Sequence, residues 1–305
     1  MKTDILCVGE ILIDFIGNQE GTILQTRDYH RYLGGSPTNV AMNTARLGLN
    51  VKLVATMGND GFGTYMLDKL SENKVDTSLC RSLDDTPTSV IFVSRTTGTP
   101  EFIAYRQADF RISEDQIPTS ILKETKIYHT TCFALSKKQA RETILAKADE
   151  AASLGVKPSI DLNYSPLIWA DRPLALETIK KYASYNPLIK ISEDDMERIF
   201  GTISVGEMFA FFHDAGAETV CLTKGADGVA LSQKGGTLTE LPAVKIDKIS
   251  DATGAGDAFW SGFLFAYIRQ QPYEKCLETA LKLAALKLQN VGRLPENIDI
   301  VSSLL

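Results

Sequence analysis

The stretch Asp251-Ala-Thr-Gly-Ala-Gly-Asp257, followed directly by AFWSGFLFAYIRQ, decides how this sequence is interpreted. The small residues at 254 to 256 allow a tight turn that brings consecutive backbone N–H groups close to a ligand. The residues that follow are apolar at positions 259, 263, 264, 267 and 268, which is helical spacing. The segment is therefore predicted to be a loop leading into a helix, whose free N–H groups could bind phosphate or another anion.

Asp257 lies in the first turn of this predicted helix, and its carboxylate has two interpretations. A carboxylate at that position can simply cap the helix or interact favourably with its dipole. Beside a phosphate-sized anion site it can also take a proton from a hydroxyl group that attacks phosphorus. The turn alone leaves both interpretations open.

Composition excludes several classes of protein. The chain has 305 residues, of which 44% are hydrophobic and 23% charged, as is ordinary for a globular protein. Its net charge of -6 argues against a non-specific nucleic-acid binder, which needs a basic surface. The five cysteines are scattered and never in CxxC spacing, so a reducing cytoplasm is expected rather than disulfides or structural zinc. No uncharged apolar run is long enough to span a membrane, and Glu10 and Asp14 interrupt the N-terminal apolar run, unlike a signal peptide.

Predicted strands and helices alternate along most of the chain, which indicates an α/β fold with a mainly parallel sheet covered on both faces. The alternation breaks between residues 86 and 106, where two short strands flank a Thr-Gly turn at 96–99. Together with strands within residues 11–33, they are expected to form a small β lid, or a dimer face, on a single domain of residues 1–305.

Four further motifs fall on predicted turns and strand ends. Gly34-Gly35-Ser-Pro-Thr-Asn39 opens a helix, and Asp14 interrupts an apolar strand, where a carboxylate is costly unless it has a partner such as sugar hydroxyls. Asp161-Leu-Asn163 follows a strand, at the edge where open α/β sheets bind ligands. The turn Thr223–Gly228 is explained by glycine alone but could also follow a nucleotide. The chain has no GxxxxGK[ST] loop, which counts against a P-loop ATPase.

Taken together, these motifs resemble the ribokinase-like (PfkB) carbohydrate kinase family over essentially the whole chain. GGSPTNVA at 34–41 is similar to its first signature and DATGAGDAFWSGF at 251–263 to its second. GEILIDF at 9–15, DLNYSPLIW and KISEDD are most similar to fructokinases. The resemblance implies a ribokinase-like three-layer domain with a mainly parallel central sheet flanked by helices. It also implies a small β-sheet lid over the sugar, through which a homodimer is expected.

The resemblance implies roles for particular residues. It makes Asp257 the catalytic base and the backbone of Gly254, Ala255 and Gly256 the anion hole. It assigns sugar binding, besides Asp257, to Asp14, Gly34, Gly35, Asn39 and Arg106. It assigns ATP binding to Ser192, Thr223, Lys224, Gly225, Gly228, Gly254, Gly256 and Asn290, with residues 290–292 near the adenine. It places Mg²⁺ near Asp195 through water, and a monovalent cation such as K⁺, which activates some members, at Asp251 and Thr253.

The sequence departs from the family pattern in two places. Relatives often read DxNxR where this chain has Asp161-Leu-Asn-Tyr-Ser165, so an arginine near the phosphates or the substrate is absent. Its absence weakens the case for an acidic substrate held there. The NxxE magnesium motif appears as Ser192-Glu-Asp-Asp195, which keeps its acidic character.

The expected activity is transfer of the ATP γ-phosphoryl group to a sugar hydroxyl, with fructose as the expected sugar. Ketodeoxygluconate, ribose, nucleosides and sugar phosphates are the alternatives within the kinase class. A catalytically silent sugar or nucleotide sensor is disfavoured by the intact GAGD sequence, because a sensor needs no base at 257. A nicotinamide-dependent dehydrogenase is disfavoured because the first strand-turn-helix unit lacks GxGxxG.

Overall fold

The computed structural model describes residues 2–95, 101–236, 238–290 and 294. The Thr-Gly turn expected at 96–99 lies outside these residues, as do residues 291 and 292, which were expected near the adenine. Within the described part, no helix is both long and apolar enough to cross a membrane.

The strands and helices follow the predicted alternation over most of the chain. The strands are β1 (Thr3–Val8), β2 (Leu12–Glu20), β3 (Tyr29–Gly34), β4 (Val51–Val54), β5 (Thr56–Gly58), β6 (Arg81–Leu83), β7 (Val90–Arg95), β8 (Phe102–Tyr105), β9 (Thr125–Thr131), β10 (Lys157–Asp161), β11 (Leu188–Ser192), β12 (Thr219–Thr223), β13 (Val229–Gln233) and β14 (Leu238–Leu241). The α-helices are α1 (Ser36–Arg46), α2 (Gly61–Glu72), α3 (Thr119–Lys123), α4 (Cys132–Leu135), α5 (Lys138–Ser153), α6 (Arg172–Ala183), α7 (Glu193–Phe200), α8 (Val205–Ala215), α9 (Ala255–Ile268) and α10 (Tyr273–Leu288).

The central sheet has eight strands in the order β14-β13-β12-β11-β10-β9-β1-β4. Six of them, from β12 to β4 in that order, run parallel, and β13 and β14 add antiparallel strands at one edge. The carboxyl ends of the parallel strands therefore meet at one edge of the sheet, where Asp161, Ser192 and Thr223 end β10, β11 and β12. This is the edge at which open α/β sheets bind ligands.

Helices cover both faces of this sheet. Ile5 and Cys7 of β1 pack into a core cluster with α1, α9 and α10, while Leu6 and Val8 pack into a second cluster with α5, α6 and α8. Alternate side chains of one strand thus enter two cores, which explains why the buried strands read as continuous apolar runs. The predicted mainly parallel α/β fold is confirmed.

A second sheet has four strands in the order β3-β2-β7-β8. It is formed from the segments that were expected to leave the main domain, and β2 pairs in parallel with β7 while β3 and β8 are antiparallel additions. Its strand β3 ends at Gly34, and Gly35 alone connects this sheet to the first turn of α1.

The sequence VKLVATMG at 51–58 has the pattern of a single strand, and that prediction is wrong. The chain leaves the main sheet at Ala55, so that β4 stays beside β1 while β5 pairs with β6 in a separate two-stranded sheet. Apart from Lys52, which is half-buried, the residues of both halves are buried. A hydrophobic pattern cannot report which sheet each half of such a run joins, because burial is the same in both.

Candidate active site

The turn before α9 has the expected form. Gly254 takes the left-handed conformation (φ 76°) immediately before the first helical residue, which favours glycine at that position. No side chain caps α9. The amides of Gly256 and Asp257 lie in its first turn, where no intrahelical acceptor reaches them, so they can bind an anion at the positive end of the helix dipole.

Asp257 is held by two side chains from the first turns of α1. Ser36 Oγ donates to Asp257 Oδ1 at 2.5 Å, and Asn39 Nδ2 donates to Asp257 Oδ2 at 2.8 Å. Burial raises the pKa of Asp257, and these two hydrogen bonds oppose that rise, with help from Lys190 and Lys287. Both carboxylate oxygens are therefore fixed in direction, and the carboxylate form is stabilised by donors and cations.

Asp14 lies on β2, and the surroundings of its carboxylate differ from those of the Asp257 carboxylate. Burial, together with the charge of Asp257, raises its pKa to about 7. No hydrogen bond reaches its carboxylate from the described residues. Gly34 of β3 pairs with Leu12 of β2 and has no side chain, which leaves the space that the Asp14 carboxylate occupies. A Cβ on Gly34 would collide with that carboxylate. A carboxylate without donors beside a second carboxylate is an incomplete site, which hydroxyl groups of a ligand could complete.

Glu10 links the turn after β1 to α1. Its carboxylate accepts hydrogen bonds from the Ser36 amide at 3.0 Å and from Thr131 Oγ1 at 2.9 Å. Burial raises its pKa to about 8 despite these donors. Gly35 has a positive φ of 105° and passes so close to the Glu10 carbonyl that a Cβ would clash with it. The chain from Gly35 to Ser36 is thus held tightly against the end of β1.

Arg106, which follows β8, is less available than expected. Its guanidinium is buried and donates to Asp109 at 2.5 and 2.8 Å, to Ser136 Oγ at 2.5 Å and to the Phe133 carbonyl at 3.3 Å. It also stacks on the Phe133 ring, 4.3 Å from the centroid. Asp109 neutralises its charge, and these contacts leave it at most one N–H for a substrate.

Lys190 lies beneath the turn at 254–256. Its ammonium donates to both carboxylate oxygens of Asp161 at 2.9 Å, and it lies 3.1 Å from where a Cβ of Gly256 would be. Asp161 and Lys190 are paired neighbours on β10 and β11. This buried ion pair places a cation under the helix end that would receive a phosphate.

The Asp195 carboxylate is bound by three donors from its own surroundings. Its carboxylate accepts hydrogen bonds from the Tyr164 amide at 2.8 Å, from the Ser192 amide at 3.1 Å and from Ser192 Oγ at 2.6 Å. It therefore joins the end of β10 to the start of α7 in a capping box. Within the described part, no group of three or more His, Cys, Asp or Glu residues is arranged to hold a metal ion.

The predicted nucleotide residues lie farther along the same sheet edge. Thr223 ends β12 beside Ser192 of β11, and Lys224 donates to Glu240 at 2.8 Å. Gly225 and Gly228 both have positive φ, and a Cβ on Gly228 would clash with the Leu241 carbonyl. Turn and hairpin geometry account for both glycines, so their contact with a nucleotide stays a prediction.

Asp251 and Thr253 do not form an open cation site. The Thr253 amide donates to Asp251 Oδ1 at 2.9 Å. The ammonium of Lys287 on α10 donates to Asp251 Oδ2 at 3.1 Å and to the Asn290 carbonyl at 3.2 Å. Asp251 Oδ2 and the Asn290 carbonyl are thus already bound by a buried ammonium group, and this arrangement does not fit a K⁺ ion on the same two oxygens.

Sequence reasoning missed Ser36, Glu10, Lys190 and Lys287 as members of the site. Ser36 lies inside the glycine motif that was singled out, but its spacing gave no reason to direct it at α9. Lys190 did carry a signal, because a lysine inside the apolar run Leu188–Ser192 is as costly as Asp14 is in its own strand.

Comparison with known proteins identifies one family along nearly the whole chain. Residues 2–297 match the pfkB family carbohydrate kinase description. An ATP-dependent 6-phosphofructokinase from Thermoanaerobacterium thermosaccharolyticum is 36% identical over 305 residues, covering 99% of this chain and 94% of that protein. The structure of a Halothermothrix orenii fructokinase is similar at 32% identity, with a TM-score of 0.81 over 92% of this chain and 98% of that one. An uncharacterised sugar kinase from Pyrococcus horikoshii, solved in complex with ATP, has 25% identity and a TM-score of 0.86 over 99% of this chain and 100% of that one.

Proposed function

Because the chain belongs to the pfkB family of carbohydrate kinases and is an ATP-dependent sugar kinase, we propose that its acceptor is fructose, which it converts to fructose 6-phosphate. The observation that carries this proposal is the pair of carboxylates Asp14 and Asp257. Among the described residues, none donates a hydrogen bond to Asp14, whereas Ser36 and Asn39 both donate to Asp257. A sugar with several hydroxyl groups supplies the donors that Asp14 lacks, and it brings one hydroxyl to Asp257.

The charges around the site favour a neutral acceptor. In the part of the chain that the structure describes, the buried cations near the carboxylates are already paired: Arg106 with Asp109, Lys190 with Asp161, and Lys287 with Asp251. An anionic acceptor would have to enter beside Asp14 and Asp257 without a buried cation of its own. Its desolvation and repulsion would oppose binding.

In the proposed reaction, Asp257 takes the proton from the attacking hydroxyl as that oxygen bonds to the γ-phosphorus. The bond from that phosphorus to the β,γ-bridging oxygen breaks, and ADP leaves with the electron pair. Ser36 and Asn39 orient the carboxylate, so that its free electron pairs are directed at the acceptor. A positioned base of this kind is typically worth about 10² to 10⁴ in rate.

The turn Gly254–Gly256 would bind the transferring phosphoryl group. Its backbone N–H groups, the α9 dipole and the Lys190 charge beneath Gly256 all favour negative charge that is spread over phosphoryl oxygens. Mg²⁺ would arrive as part of the MgATP substrate, since Asp195 is committed to amide and hydroxyl donors and could reach the ion only through water.

Fructose 6-phosphate is the second candidate acceptor. The 36% identity to a 6-phosphofructokinase over nearly the whole chain favours it. On the second sheet, His30 and Tyr32 share the face of Asp14, because they pair with Ile16 and Asp14 across β2 and β3. His30 and the nearby Arg27 are exposed, and they are the groups that an acceptor phosphate could reach from outside the buried site.

The test is ADP release from the purified protein with MgATP and each of fructose, fructose 6-phosphate, ribose, 2-keto-3-deoxygluconate and adenosine. We expect kcat/KM to be highest for fructose. A higher value for fructose 6-phosphate would replace the first proposal with the second, and a higher value for another acceptor would contradict both. ATP binding without turnover of any acceptor would favour a silent sensor.

We also propose that the second sheet closes over the sugar as a lid and joins two copies of the chain. Ile103 and Tyr105 on β8 are 44% and 55% exposed, and Phe92 contacts Phe15, Tyr29 and Tyr105 on the same face. Such an exposed apolar face is the kind of surface that protein interfaces cover. Light scattering should give a dimer mass, and Tyr105→Glu should shift it towards the monomer.

A reducing compartment such as the cytoplasm is proposed from the cysteines. All five thiols are free, and four of them are buried. The catalytic proposals involve none of them, so a reducing agent should leave activity unchanged.

A further inference from the structure

Lys287 occupies an unusual position for a lysine. It lies in the last turn of α10, and only 4% of the residue is exposed. A buried ammonium is costly unless it is paired and hydrogen-bonded. Its two oxygen acceptors, Asp251 Oδ2 and the Asn290 carbonyl, come from the loop before α9 and from the end of α10. The lysine therefore joins these two segments through one positive charge.

This charge lies beside the turn that would bind the phosphoryl group. Cε of Lys287 is 3.8 Å from where a Cβ of Gly254 would be. The loop is also tied to α10 by its backbone, since the amides of Ser250 and Asp251 both donate to the Leu288 carbonyl, at 2.7 and 3.3 Å. The shape of the loop at 250–254 therefore depends on α10, and Lys287 forms an ion pair with the Asp251 carboxylate of this loop.

A monovalent cation at Asp251 would make the same interactions. It would carry one positive charge, bind a carboxylate oxygen and a carbonyl oxygen, and keep the loop from repelling a phosphate. An ammonium group and K⁺ cannot occupy the same oxygens at once. The lysine has the further advantage that its charge is attached to the chain, so that no ion has to be bound from solution.

We propose that Lys287 is a tethered cation that replaces an activating monovalent ion in this enzyme and keeps the loop at 250–254 in the shape required for phosphoryl transfer. Lys287 is a positioning residue, since it acts through Asp251 and Gly254. The inference rests on the proposed role of the Gly254–Gly256 turn, but not on which sugar is the acceptor.

The first experiment uses the wild-type protein. Turnover and thermal unfolding are measured in choline, Na⁺, K⁺ and NH₄⁺ chloride at one ionic strength, with whichever acceptor gives the fastest ADP release. We expect kcat and the KM for ATP to agree within about twofold among the salts, and Tm to agree within about 1 °C. Activation by K⁺ of more than about threefold would overturn the proposal, and this result does not require any variant to fold.

The second experiment uses Lys287→Met, which keeps most of the aliphatic chain and removes the charge. In choline we expect at least about a 10-fold loss of kcat/KM for ATP, because a charge beside the phosphoryl site is lost. K⁺ or NH₄⁺ should restore part of that loss and raise Tm, whereas choline should not. A loss that neither ion restores would show a merely structural lysine and overturn the proposal, as would full activity in choline.

Lys275→Met is the matched control. Lys275 lies on the same helix, but its side chain is about half exposed and pairs with Glu278. We expect its activity and Tm to be the same as those of the wild type in every salt. Failure of the proposed acceptor would appear as slow turnover of fructose in all salts, which is distinct from a salt effect that is confined to Lys287→Met.

Discussion

Ser36 Oγ lies 2.5 Å from Asp257 Oδ1, which joins two residues that are 221 positions apart. Ser36 begins α1 and Asp257 lies in the first turn of α9, so two helix N-termini meet at one carboxylate. Glu10 holds the Ser36 amide from behind at 3.0 Å. The direction of the proposed base is thus set by a chain of contacts rather than by its own helix.

Asp257→Asn should lower kcat by at least about 10²-fold, because an amide cannot take the proton of the attacking hydroxyl. The Kd for ATP should change little, since the amides of the turn remain. Steady-state kinetics and calorimetric titration with ATP separate the two effects. Asp194→Asn, at an exposed position on α7, is the control, and undiminished turnover of Asp257→Asn would remove this residue from the mechanism.

Ser36→Ala should move the acidic limb of the kcat profile to higher pH. The hydroxyl hydrogen bond lowers the pKa of Asp257, which burial raises, so losing it lets that pKa rise further. A hydrogen bond to a charged group is worth about 1.5 to 3 kcal/mol, so its loss should move the limb measurably. Measurement of kcat between pH 5 and 9 tests this prediction. If the acidic limb does not move, it reports the titration of a group other than Asp257.

Asp14→Asn should stabilise the empty protein at alkaline pH while weakening sugar binding. The pKa of Asp14 is raised to about 7 from 3.8, so its contribution to stability is complete below about pH 4 and is lost as pH rises through 7. At pH 8 the variant should gain roughly 1 to 3 kcal/mol in unfolding free energy, a gain that vanishes near pH 4. Urea unfolding at several pH values measures the gain.

The control for this pH dependence is Glu177→Gln, at an exposed position on α6. Its unfolding free energy should follow that of the wild type at every pH. If Asp14→Asn were less stable than the wild type at pH 8, the carboxylate would have a partner in the folded protein, and the incomplete-site argument would fail.

Lys190→Met should destabilise the protein by about 3 to 5 kcal/mol, because it leaves the Asp161 carboxylate buried without its cation. Lys190→Met combined with Asp161→Asn should recover a large part of that loss. Chemical unfolding of the two single variants and the double variant gives the coupling energy. Additive losses would show that the two groups do not act as a pair.

Local patterns in the sequence predicted the loop into α9, the alternating strands and helices, and the second sheet. Each of these depends on neighbours along the chain: glycine at a left-handed position, apolar spacing, or a short strand without a following helix. The need of Asp14 for a polar partner could also be predicted, because a carboxylate inside an apolar strand is costly without one.

Contacts across the fold could not be predicted in this way. Nothing in the sequence near Ser36 indicates that the start of α1 lies against the start of α9, since that contact depends on how both helices pack on the sheet. Arg106 was expected to reach the substrate, but its guanidinium is paired with Asp109, three residues away, which the structure turns towards it. Lys287 is one of several lysines in the segment 275–287, and nothing in the sequence distinguishes it from the others, although the fold buries it.

Gly34→Ala should raise the KM for the acceptor by at least about 10-fold and leave the Kd for ATP unchanged. The new Cβ would enter the space of the Asp14 carboxylate and approach Leu12 Cδ1 to 2.8 Å, so the carboxylate must turn away from its position. Gly61→Ala is the matched control, because a Cβ there meets nothing within 4 Å. An unchanged KM with Gly34→Ala would mean that Asp14 does not bind the acceptor from its observed position. A proportionate rise in the Kd for ATP would instead indicate that the substitution disturbs α1 and Asp257, since Gly34 directly precedes the turn that leads into that helix.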